Sequence, residues 1–85
     1  MASKIHNFVL IFKRIMIDFG TEFKYHRQKS NLSQKELAEL INTSQQNISR
    51  WEKNEVEPSI SFCVALADYY GISLDELIGR DIDNK

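Results

Sequence analysis

Cysteine is nearly absent from this 85-residue sequence: Cys63 stands alone. That excludes an intrachain disulfide and a Cys/His zinc site. One proline and three glycines leave little turn material, which favours a few helices over many short strands. No apolar run reaches the length of a bilayer span. The run Phe8-Val9-Leu10-Ile11-Phe12 is shorter than a usual signal-peptide core; Lys13 and Arg14 close it, and no small-residue cleavage site follows. Catalytic patterns are missing too: there is no glycine-rich phosphate loop and no supported Ser/His/Asp arrangement. The sequence therefore offers no enzyme, cofactor, metal or small-molecule substrate reading. Cys63 lies within Phe62-Cys63-Val64-Ala65-Leu66 and reads as a small buried hydrophobe in a reducing, cytoplasmic setting.

An excess of either charge is also lacking, since 11 basic residues face 12 acidic ones for a net charge of -1. The distribution along the chain is uneven. Residues 1–54 carry nine Lys or Arg against five Asp or Glu, whereas residues 55–85 carry two against seven. One face can therefore be basic while the whole is near neutral. Hydrophobic residues at 42% are enough for collapse into one small domain, whose core is marginal unless it packs well or is joined by a partner.

The chain divides into an N-terminal arm over 1–17, a domain over 18–79 and a polar tail over 80–85. Within the arm Ile5, Phe8, Val9, Phe12 and Ile15 fall at helical spacing, though a short strand over 8–12 fits as well. The arm is either an appended segment or a surface for a dimer or partner. A first helix is predicted from Asp18, a suitable N-cap, to Lys29, with Phe19, Phe23, His26 and Arg27 on one face. Ser33-Gln34-Lys35-Glu36 forms a capping box that opens a second helix burying Leu37, Ala38 and Ile41. Asn42 follows, where a tight turn needs positive φ.

A third helix is predicted from the N-cap Ser44 to about Lys53. Ile48 and Trp51 alone form its apolar seam, while Gln45, Gln46, Asn47, Ser49 and Arg50 are polar. Such a helix is either solvated or pressed against a polar partner. Trp51 reads as a core residue rather than a base-stacking platform. After the loop Asn54 to Pro58, a fourth helix runs from the N-cap Ser59 to Tyr70, with apolar Ile60, Cys63, Val64, Leu66, Ala67 and Tyr70, and ends at Gly71. Ser73-Leu74-Asp75-Glu76 is a second capping box, opening a short fifth helix that ends at Gly79.

The central pattern, Leu37 to Glu52, is two short helices meeting across a tight turn over a small residue, Ala38, as in a helix-turn-helix. Together with Leu32-Ser33-Gln34, Ile48-Ser49-Arg50-Trp51-Glu52, Pro58-Ser59, Leu66-Ala67 and Gly71 to Leu77, it resembles the phage Cro/repressor-type domain, also called the xenobiotic-response-element family. The resemblance spans about Asp18 to Gly79. It departs from the family pattern at His26, Asn42, Thr43 and Asn54, where apolar or glycine residues are usual.

The resemblance implies an all-α fold of five short helices, lambda-repressor-like, with helices two and three reading double-stranded DNA. It places Ser44, Gln45, Gln46 and Arg50 toward the major groove, where Gln pairs with adenine and Arg with guanine. Gln34, Asn47, Lys53 and Asn54 would meet phosphates, and Arg27 would pair with Glu52. The expected function is a prokaryotic or phage transcriptional regulator, a repressor acting as a homodimer, nucleoid-associated when bound. Glu55 and Glu57 weigh against strong non-specific binding. The competing readings are an antitoxin-like or adaptor module that keeps the fold to bind protein, and a helix-turn-helix fold that has lost useful DNA affinity.

Overall fold

The computed structural model describes residues 18–80, which hold five helices: α1 Phe19–Lys29, α2 Gln34–Leu40, α3 Gln45–Glu52, α4 Ile60–Tyr70 and α5 Leu74–Ile78. Expectations for the arm over 1–17 and for tail residues 81–85 lie outside this range.

Each helix begins on a short polar side chain that accepts a hydrogen bond from an otherwise unpaired amide of its first turn. Asp18 accepts from Thr21 N, Ser33 from Glu36 N, Ser44 from Asn47 N, Ser59 from Phe62 N and Ser73 from Glu76 N. In α2 and α5 the bond is reciprocated, because Glu36 and Glu76 reach back to the amides of Ser33 and Ser73. The helices also end alike. Asn31, Asn42, Asn54, Gly71 and Gly79 all have left-handed φ, between 59° and 82°. The amide after each reverses to a carbonyl five residues back: Leu32 to Arg27, Thr43 to Ala38, Glu55 to Arg50, Ile72 to Ala67 and Arg80 to Asp75. This Schellman closure satisfies carbonyls that would otherwise be orphaned, and it turns the chain sharply within a few residues.

Short rigid turns bring the apolar stripes together. The buried core is Phe19 and Phe23 of α1, Leu37 and Ala38 of α2, Ile48 and Trp51 of α3, Leu66 and Ala67 of α4, and Leu77 of α5. Trp51 sits at its centre, edge-on to Phe23 with ring centroids 6.5 Å apart and tilted against Phe62 at 5.2 Å. Helix α1 packs on α3 and α5, α2 on α3, and α4 on α5. Helix α3 is thus braced from two sides.

Two apolar residues of α4 do not join the core. Ile60 is 79% exposed and Val64 41%. Helix α4 is apolar around most of its circumference, and one face of it suffices for the core. Cys63 is half-buried rather than fully enclosed; it lines an open groove of about 180 Å³ with Phe19, Phe23, Pro58 and Ile78, and burial pushes its thiol pKa up, with a smaller contribution from Glu57. Tyr70 is half-buried and Tyr69 exposed. His26 stacks on Tyr70 at 5.6 Å and lies 3.8 Å from Glu22, one turn back.

Candidate nucleic-acid interface

The pair α2–α3 turns on Ala38, which is only 3% exposed. A larger side chain would push the two helices apart. Asn42, at φ 60°, reverses the chain, and Thr43 N donates to Ala38 O at 2.8 Å. Ser44 then opens α3 with an extended backbone and a hydroxyl that accepts from Asn47 N at 3.1 Å.

Helix α3 has two unlike faces. Ile48 and Trp51, three residues apart, are buried, whereas Ser44, Gln45, Gln46, Asn47, Arg50 and Lys53 are exposed. Ser49 is intermediate. Hydrogen-bonding side chains therefore line one outward surface of a helix that is anchored from behind. The Asn47 amide nitrogen also donates to Thr43 Oγ1 at 2.9 Å, which ties the helix start to the turn.

Behind this surface lies an ionic brace. Arg27 is 8% exposed and grips Glu52 with two bonds, Nε to Oε2 at 2.6 Å and Nη2 to Oε1 at 3.1 Å. Its remaining amino group donates to Leu32 O at 2.8 Å. The bidentate bond to Glu52 holds the guanidinium pKa above its ordinary value against the opposing effect of burial. The pair fastens the last residue of α3 to α1.

Two of the residues expected to meet phosphates, Gln34 and Asn54, also have partners within the fold. Gln34 turns its amide nitrogen to Glu52 Oε1 at 3.0 Å, so it completes the ionic brace at the C-terminal end of α3. Asn54 spends both ends of its side chain within the molecule. Its Oδ1 accepts from Gly20 N at 3.0 Å, and its Nδ2 donates to Asp18 Oδ1 at 2.8 Å. Asn54 hydrogen bonding comes first, and Thr21 second, in holding the Asp18 pKa below the usual carboxylate value.

Gly20 is a close-packing position beneath this surface that sequence reasoning missed. A Cβ there would sit 2.7 Å from the Glu52 carbonyl carbon and 2.8 Å from Trp51 O, inside van der Waals contact with backbone. Glycine is thus what lets α1 reach the end of α3. The available signal was a glycine inside a helical pattern, which commonly marks a close backbone approach.

Comparison with known proteins agrees with this geometry. A helix-turn-helix family model matches residues 23–77. Over 65 residues, 76% of this chain and 51% of the relative, it is 34% identical to the helix-turn-helix-type transcriptional regulator ImmR of Bacillus subtilis (strain 168). Over 56 residues, 66% of this chain and 85% of the relative, it is 30% identical to an uncharacterised helix-turn-helix-type transcriptional regulator of Methanocaldococcus jannaschii. The chain thus spans about half the length of ImmR but most of the archaeal protein. In three dimensions it is similar to the solution structure of the SOS-response transcriptional repressor LexA from Eubacterium rectale, with TM-score 0.70 and 31% identity over 80% of this chain and 72% of that one. Five capped helices, a two-helix crossing over Ala38 and a family match across most of the domain lead to one assignment: the chain belongs to the Cro/repressor-type helix-turn-helix family.

Proposed function

We propose that this protein binds double-stranded DNA sequence-specifically and regulates transcription, as a repressor that works as a homodimer in the cytoplasm. The observation that carries the reading is the division of α3: Ile48 and Trp51 are buried while Gln45, Gln46 and Arg50 stand in solvent. Gln can bond adenine N6 and N7 together, and Arg can bond guanine O6 and N7 together. Ser44, Gln45, Gln46 and Arg50 are the base-facing set. Asn47, Lys53 and the amides at the start of α3 meet phosphates. A module of this size covers about 600–1,000 Å² of DNA-facing surface, less than most tight operator complexes, so a second copy is needed. Its recognition helices would sit about 34 Å apart on a pseudo-palindromic site.

Selection of bound oligonucleotides from a random pool would reveal the half-site and its spacing. Gln45→Ala and Gln46→Ala should each weaken specific binding, by about 1–3 kcal/mol per lost bidentate pair, with an unchanged circular dichroism spectrum. Unaltered affinity in both variants would sink the base-facing assignment. A second reading, a module that binds another protein, draws support from the exposed Ile60 and Val64 on α4. It predicts no salt-dependent DNA binding; a DNA reader loses affinity steeply as salt rises.

A further inference from the structure

We propose that Asn54 is a positioning residue for DNA binding: by clamping the end of α3 to the start of α1, it presents Lys53 to the phosphate backbone in a preset orientation. The inference rests on the DNA-binding reading above and adds a device to it. Asn54 follows directly on Lys53, the residue that caps the C-terminus of α3. Its backbone takes φ 59°, a conformation that Asn tolerates and that glycine would adopt more freely. A glycine would therefore serve the turn itself at least as well. The side chain does something a glycine cannot.

The side-chain carbonyl accepts the amide of Gly20, one of the first-turn donors of α1 that has no helical partner. The side-chain nitrogen donates to Asp18, the N-cap of α1, which in turn accepts from Thr21 N at 3.1 Å and Thr21 Oγ1 at 2.9 Å. One residue thus ties the loop to a first-turn amide and to the N-cap of another helix, 34 and 36 positions away in sequence. The bare backbone of Gly20, pressed on the Trp51 and Glu52 carbonyls, keeps the two ends close enough for these bonds. The clamp engages the first turn of α1, whereas the Arg27–Glu52 brace engages its last. Unclamped, the turn keeps its own backbone bonds but loses its tie to α1, so its placement against α1 would have to be fixed at the moment of binding, and that ordering weakens affinity.

The test uses the full chain, its selected DNA site and titrations across a range of salt. Asn54→Gly keeps the left-handed turn and removes only the clamp. Its specific affinity should fall on the order of threefold to tenfold, the worth of one or two net hydrogen bonds, and its salt slope should drop by about one phosphate contact. Lys53→Ala should lower the slope by the same amount. In the double variant the two losses should not add, because both act through one contact. Additive losses, or an Asn54→Gly variant with unaltered affinity and slope, would overturn the proposal. Should Asn54→Gly fail to fold by circular dichroism, Asp18→Ser takes its place: it still caps α1 but takes away the carboxylate that Asn54 bonds, and because it also removes a negative charge, a fall in affinity and slope supports the clamp while an unaltered or raised affinity overturns it. Absence of salt-dependent binding in the unaltered chain would overturn the DNA reading and this inference together, whereas binding that is indifferent to Asn54 overturns this inference alone.

Discussion

Tyr70 carries a cost at its hydroxyl. Among the described residues this hydroxyl is buried without a hydrogen-bond partner, and burial, as the leading cause, pushes its pKa up to about 12. An unmet buried hydroxyl costs about 1–3 kcal/mol. Tyr70→Phe should therefore stabilise the domain, raising the thermal midpoint by about 4–8 °C per kcal/mol for a chain of this size. The same variant should also change the alkaline limb. A raised folded pKa means that stability is full below the unfolded tyrosine value, about 10, and is lost as pH rises through the folded value. Denaturation midpoints compared between pH 9 and pH 12 should fall for the parent and fall less for Tyr70→Phe. Gly20 points the opposite way. A methyl group would strike the Trp51 and Glu52 carbonyls, which belong to helical backbone and cannot rotate aside. Gly20→Ala should cost about 3 kcal/mol, the upper end for overpacking, and urea unfolding will measure it. A loss below 0.5 kcal/mol would mean that α1 can withdraw from α3 without penalty.

At the scale of elements the repeated devices are the caps. Ser44 fixes where α3 begins, and its loss leaves the Asn47 amide unpaired. Ser44→Ala should destabilise by about 1 kcal/mol, seen as a drop of about 4–8 °C in the melting midpoint. Helix positions were legible because such caps are local chemistry. Asp18, Ser33, Ser44, Ser59 and Ser73 each announce a helix within a four-residue window, and all five open one. The ends are as plain, since Asn31, Asn42, Gly71 and Gly79 are residue types that accept left-handed φ. The internal partners of Gln34 and Asn54 were not legible, because each partner lies far away in sequence and is reached only once the helices pack. Helix α4 was ambiguous for a different reason: with apolar residues on most sides, periodicity could not reveal that Ile60 and Val64 face outward.

For the whole molecule, acid behaviour reports on the contact between the two ends of the α1–α3 assembly. The Asp18 carboxylate is held below its ordinary value of 3.8, first by Asn54 and then by Thr21. A depressed folded pKa gives a contribution that is complete above the unfolded value and fades as pH falls through the folded one. Denaturation midpoints should therefore decline below about pH 4, and Asp18→Asn, which still caps, should flatten that decline. Glu36, depressed by its capping-box bonds to Ser33, will leave a remainder. An acid limb unchanged in Asp18→Asn would show that the clamp has no ionic component.

Local chemistry alone was enough for the helix count, the turn over Ala38 and the division of α3 into a buried seam and a polar face, because caps and 3.6-residue spacing act over short stretches of chain. Packing settled which polar residues stay free and which become internal ties. Asn54 meets Asp18 across 36 positions and Gln34 meets Glu52 across 18, and no local signal specifies partners at such separations; the Arg27–Glu52 pair, 25 positions apart, was expected from the family resemblance alone. Those meetings follow from the mutual burial of Phe23, Ile48, Trp51 and Leu66, which draws the helix ends together only once the core has formed.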